Sequence, residues 1–157
     1  MKRPIVCLFL GLAACATAPE TGADAAITLE ETPCFGFCPV YTMTLHSDGA
    51  YVLEGGRNTR QTGLHRGQLS PAAYDRAAAA LEEAGFDARD PDITMGNPAA
   101  CRNPHTDAQT AIITWSKRAG KKRVAYYQGC NAPKMRKALE ELRAAFDYDT
   151  LIAKPRE

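Results

Sequence analysis

The sequence predicts an α+β fold: an antiparallel sheet of two hairpins, about five to six strands, with two helices packed on one face. Three observations carry this. Paired segments alternate apolar and polar residues on either side of a turn, two other segments repeat apolar residues at helical spacing, and the order runs strands, helix, strands, helix. A length of 157 residues fits one domain, and 24% charged residues is near the globular average. A formal net charge of +1 leaves no electrostatic footprint for nucleic acid.

The elements follow in order. Ile27 to Glu31 reads as a first strand. Val40 to His46 puts Tyr41, Met43 and Leu45 on one face and Val40, Thr42 and Thr44 on the other. Ser47-Asp48-Gly49 then leads into "AYVLEG", a hairpin signal because both central turn positions are expected at positive φ. "TGLHRGQLS" fits a short fourth strand. Ser70-Pro71 opens a helix as N-cap and first-turn proline, with Tyr74, Ala77, Ala78, Leu81 and Ala84 at helical spacing and Gly85 as its C-cap. Asp87 to Gln109 lacks periodicity and holds three prolines, so a loop that long needs a functional or covalent reason. Thr110–Ser116 and Arg123–Gln128 form a second hairpin across a basic tip. Asn131 is expected to cap a last helix, with Pro133 in its first turn and Met135, Leu139, Leu142 and Phe146 on one stripe.

The first nineteen residues, "MKRPIVCLFLGLAACATAP", have a charged start and an apolar run from Ile5 to Ala14. The run is too short to span a bilayer but fits a signal segment. Leu12-Ala13-Ala14-Cys15 resembles the lipobox of bacterial lipoproteins, which implies that Cys15 is lipidated and becomes the new N-terminus. The other reading is an ordinary cut after Ala16-Thr17-Ala18, but Pro19 would then follow it. Residues 1–14 thus read as a lipoprotein signal peptide, 15–26 as lipidated cysteine and tether, 27–152 as one domain and 153–157 as a tail. The expected location is the cell envelope, lipid-anchored and facing the periplasm. Ala16 points to the outer membrane by similarity to Gram-negative sorting rules. Removing residues 1–14 leaves 17 basic against 18 acidic residues, which argues against electrostatic lipid binding beyond the anchor.

Four cysteines then remain in a compartment where disulfides persist: Cys34, Cys38, Cys101 and Cys130. Four allow three pairings, of which Cys34–Cys38 with Cys101–Cys130 is favoured. The wider loop, about 30 residues, would contribute roughly 3–4 kcal/mol and the small ring about 2. Gly36 is expected to give that ring a positive φ, between extended flanks at Pro33 and Pro39.

Two other readings use the same residues. "CFGFCP" resembles the copper and thiol site of Sco-type copper chaperones, which implies redox or copper handling by Cys34 and Cys38. In that family the motif opens a helix that lowers the thiol pKa, whereas here a strand follows. Zinc would need Cys34, Cys38, Cys101 and His105, with His46 or His65 as substitutes. Asp87 to Asp92 reads as an acidic loop, lacking the glycine and distal glutamate of a calcium site. The chain has no G-x-S-x-G and no H-E-x-x-H, and no catalytic residue, cofactor or resident metal is assigned. Lys117, Arg118, Lys121, Lys122 and Arg123 read as a solvated hairpin end that could otherwise meet anionic headgroups, and Trp115, Tyr126 and Tyr127 as core aromatics that could otherwise bind a partner.

The stretch from Ile27 to Gly55 resembles the opening of an uncharacterised bacterial domain family. Its signature is Cys-Phe-Gly-x-Cys-Pro-x-Tyr, followed by a strand and an Asp-Gly turn, with a later Thr-Asp element matched here by Thr106-Asp107. The resemblance implies one domain and carries over no activity. The expected function is therefore a membrane-tethered, disulfide-stabilised, non-enzymatic domain that binds a protein or envelope component.

Overall fold

The computed structural model describes residues 25–154. The signal segment, Cys15, tether residues 16–24 and the tail beyond Lys154 lie outside the described residues. The elements are β1 (Ala26–Glu31), β2 (Tyr41–His46), β3 (Ala50–Gly55), β4 (Gly63–Gln68), α1 (Pro71–Glu83), β5 (Asp92–Ile93), β6 (Thr110–Lys117), β7 (Gly120–Tyr127), α2 (Pro133–Ala145) and α3 (Tyr148–Leu151).

The fold is α+β, with one sheet in the order β4-β3-β2-β1-β6-β7-β5. It departs from the expected five or six antiparallel strands. There are seven, and β5 runs parallel to β7, pairing Asp92 with Ala125 and Ile93 with Tyr126. A two-residue strand has no period to read, so sequence pattern cannot reveal it. β1 lies in the middle, with Leu29 opposite Met43 on one side and Ile113 on the other.

Alternation decides which face is covered. Ile27, Leu29, Tyr41, Met43, Leu45, Leu53, Ile113, Trp115, Val124 and Tyr126 are buried on one face. Ala77 and Leu81 of α1 and Met135, Leu139 and Leu142 of α2, with Phe146 just beyond, join them in one core. That apolar stripe is why the two helices lie side by side on this face. Trp115, Tyr126 and Tyr127 are core residues. On the opposite face Thr28, Thr44 and Thr114 stay half exposed, and the hydroxyls of Thr28 and Thr44 are hydrogen-bonded at 2.9 Å.

Four local expectations need correction. The β2–β3 turn has positive φ only at Gly49 (87°), because three residues connect the strands and Gly49 follows a turn closed by its own N–H on His46 O. The α2 cap is Ala132, not Asn131, with no side-chain cap. There the approach to the helix is set by Ala132 N donating to Cys130 O at 2.9 Å and by the Cys101–Cys130 disulfide. Gly36 is not among the residues with positive φ. At α1 Ser70 caps the start, its Oγ accepting from Ala72 N, while the C-cap is Ala84 and the expected Gly85 follows it in the left-handed conformation.

Candidate functional site

β1 and β2 are joined by residues 32–40, and this connection carries the most unusual surface among the described residues. Cys34 and Cys38 are bonded, with Cα atoms 5.7 Å apart. Phe35 and Phe37, inside the ring, are each 93% exposed. Phenylalanine is ordinarily buried, and a fully exposed pair marks a contact surface more often than chance. The disulfide closes the chain on either side of them into a short ring that stands off the sheet's core.

The ring stands on a pinned neck. Gln109, buried at 7% exposure, donates from Nε2 to Thr32 O at 2.9 Å and to Pro39 O at 2.7 Å, and so ties the two sides together. Thr32 N donates to Thr110 O, and Thr110 N to Thr32 Oγ1. Asn58 Nδ2 donates to Cys38 O, and Val40 N to Arg57 O. The neck is thus held by both β6 and the β3–β4 connection. Gln109→Met keeps the volume but removes both donors, and a loss of about 1–3 kcal/mol in urea unfolding is expected.

Beneath the neck lies a buried polar cluster. Glu31, fully buried, accepts from the Tyr41 hydroxyl (2.8 Å), Gln128 Nε2 (2.8 Å), Arg143 Nε (3.1 Å) and Arg143 Nη2. The guanidinium also lies over the Tyr148 ring, 5.4 Å from its centroid, and Tyr148 packs on Tyr41 at 6.0 Å. Every oxygen of the carboxylate is answered, so the cluster holds α2 and α3 against the sheet rather than presenting a reactive group. Burial, then the nearby Glu31 charge, pushes the Tyr41 hydroxyl well above its ordinary range. A raised acid pKa stabilises the fold below the unfolded tyrosine pKa of about 10, and that contribution is lost as pH rises through the folded value. Urea midpoints should therefore fall between pH 9 and pH 11, with a flatter profile in Tyr41→Phe.

An open depression adjoins the ring, lined by Phe37, Pro39, Asn58, Arg60, Tyr148 and Lys154 among others. Arg60 is held there by Ala153 O and Asp149 O, and Arg57, Arg60 and Lys154 are exposed.

The other sequence-marked residues are placed elsewhere. Cys101 and Cys130 form the second disulfide, both buried, with Cys130 Sγ 3.3 Å from Ile93 O. This is the covalent reason for the long loop. His105 is exposed, His46 ends β2, and His65 Nε2 lies 2.9 Å from Thr62 O. No three histidine, cysteine, aspartate or glutamate side chains gather at metal distance among the described residues, so Cys34, Cys38, Cys101 and His105 are not brought together. Cys34 and Cys38 are followed by β2, without the helix that lowers a thiol pKa. Of the basic hairpin, Lys117 pairs with Asp87 and Lys122 donates to Arg89 O, while Arg118, Lys121 and Arg123 face solvent. Asp107 of the Thr-Asp element adopts φ 64°, a left-handed turn that aspartate tolerates.

Gln109, Asn58, Glu31 and Arg143 were not legible as site residues. Gln109 meets its partners 70 and 77 residues away, and Glu31 meets Arg143 112 residues away. The sequence marked the ring through its cysteines, and the exposed pair Phe35 and Phe37 emerged only from the structure.

No curated protein and no solved structure matches the chain. A family match spans residues 25–147, from just before β1 to just after α2. It covers the ring, its neck and Glu31, Tyr41, Gln128 and Arg143 of the buried cluster, with Tyr148 just beyond. The chain belongs to the family described as a domain of unknown function, DUF6438.

Proposed function

We propose that this protein is an exported lipoprotein, anchored through Cys15, whose disulfide-stabilised domain is non-enzymatic and binds a protein or cell-envelope component. The observation that carries it is the pair Phe35 and Phe37, 93% exposed in a closed ring on a hydrogen-bonded neck. The leader supports the anchor, with its charged start, ten-residue apolar run and Leu-Ala-Ala-Cys ending. In this reading the domain faces the periplasm, from the outer membrane.

A second reading has one observation in its favour. Cys34 and Cys38 are half exposed, whereas Cys101 and Cys130 are buried, so a reductant reaches the small ring first. Thiol exchange or copper handling there would need a reduced pair in the cell. Trapping thiols in the full chain, drawn from membranes of the producing cell, separates the two. The expected result is no free thiol in the described domain and lipid label that disappears in Cys15→Ser. Reduced Cys34 and Cys38, or copper that co-purifies with them, would overturn the binding-domain reading.

A further inference from the structure

We infer that the Phe35–Phe37 ring is the point of contact with another protein, one that offers an apolar cleft with an acidic rim. This rests on the tethered reading above and adds the kind of partner. Three observations lead to it.

The first is chemical. The ring offers two aromatic side chains and little else. Aromatic anchors seated in a partner's pocket dominate binding energy at protein interfaces. The backbone that carries them is pinned by the disulfide and by Gln109, so little backbone freedom is lost on docking.

The second is electrostatic. Glu30 and Glu54 line the other side of the neck, but on the side of the depression Arg60 and Lys154 stand exposed against Asp149, with Arg57 exposed close to Arg60 in the chain. An acidic rim would complement them and steer the encounter.

The third is directional, and it favours a protein over the anchoring membrane. The chain enters the sheet at Ala26, and the ring follows Glu31 at the other end of the same central strand. β1 spans about 17–20 Å. Ten residues separate Cys15 from Ala26. Even fully extended they reach at most about 36 Å, and about half of that would be used in running back along β1. The ring therefore lies at the end of β1 opposite to the one at which a lipid-anchored chain would enter the domain.

The test uses the full chain in its own envelope, with a benzophenone-bearing phenylalanine at position 37 and, as a control, at the exposed Leu64 of the sheet edge. The expected result is a discrete protein adduct from position 37, none from position 64, and at least a fivefold loss of that adduct when Arg57→Glu is added. Arg57 makes its neck contact through its backbone carbonyl, so the fold should survive, and intact disulfides in each variant check this. No adduct at position 37, or equal adducts at both positions, overturns the inference. A parallel arm reconstitutes Phe37→Trp in vesicles of phosphatidylethanolamine and phosphatidylglycerol. A blue-shifted emission would place the ring in lipid and overturn the protein partner, while leaving the broader binding reading intact. Reduced Cys34 and Cys38 in the cell would instead remove that broader reading.

Discussion

Arg143→Met should lower the stability of the domain by about 3–5 kcal/mol, the usual cost of leaving a buried charge without its partner. Glu31 has no exposure to water, and Arg143 supplies two of its four hydrogen bonds. Tyr41 and Gln128 would remain, but neither carries charge. Native domains are stable by only about 5–15 kcal/mol, so the loss takes a large part of the total. Burial opposes charge on Arg143, yet its hydrogen bond and attraction to Glu31 prevail and hold its pKa above the ordinary value. Urea unfolding of the single variant against the Glu31→Gln, Arg143→Met pair provides the check. The pair should recover part of the loss, because the buried charge has gone from both sides. Equal losses in the two would mean that the guanidinium acts through packing on Tyr148 and not through the ion pair.

Replacing Cys101 and Cys130 together by alanine should cost about 3–4 kcal/mol, against about 2 for the Cys34 and Cys38 pair. The difference comes from loop length: the sequence separations are 29 and 4. The larger bond also fixes the approach to α2, where no side chain caps the helix. Thermal unfolding should fall by roughly 10–20 °C for the first variant and about half as much for the second. A loss at 34 and 38 as large as that at 101 and 130 would show that the ring is part of the folding framework, and would weaken its reading as a surface device.

The parts of this fold that were legible in the sequence are those in which a period repeats. Tyr41, Met43 and Leu45 declare a half-buried strand, and Met135, Leu139, Leu142 and Phe146 declare a buried helix face; all seven are buried. What escaped was short or non-local. Asp92 and Ile93 are too few to show a period, and α3 is a single turn. Glu31 reads as a polar strand end until Arg143 arrives from a helix 112 residues later. The candidate site was half visible. The cysteines of the ring are legible as a close pair, but the exposure of Phe35 and Phe37 between them is not, and the glutamine that holds the neck sits at the end of a loop without pattern.

The central position of β1 also bears on the order in which the molecule can be assembled. Its second neighbour, β6, begins at Thr110, which bonds to Thr32 from 78 residues further along the chain. A chain that emerges from its N-terminus can pair β1 with β2 at once, but must leave the other edge of β1 open. That edge waits for its partner until the next 78 residues have followed. A nascent sheet with the unpaired backbone of Ile27 to Glu31 at its rim is a template for other chains during that interval. The first strand to be made therefore stays half-paired until β6 is present, and slow, late closure is built into this topology.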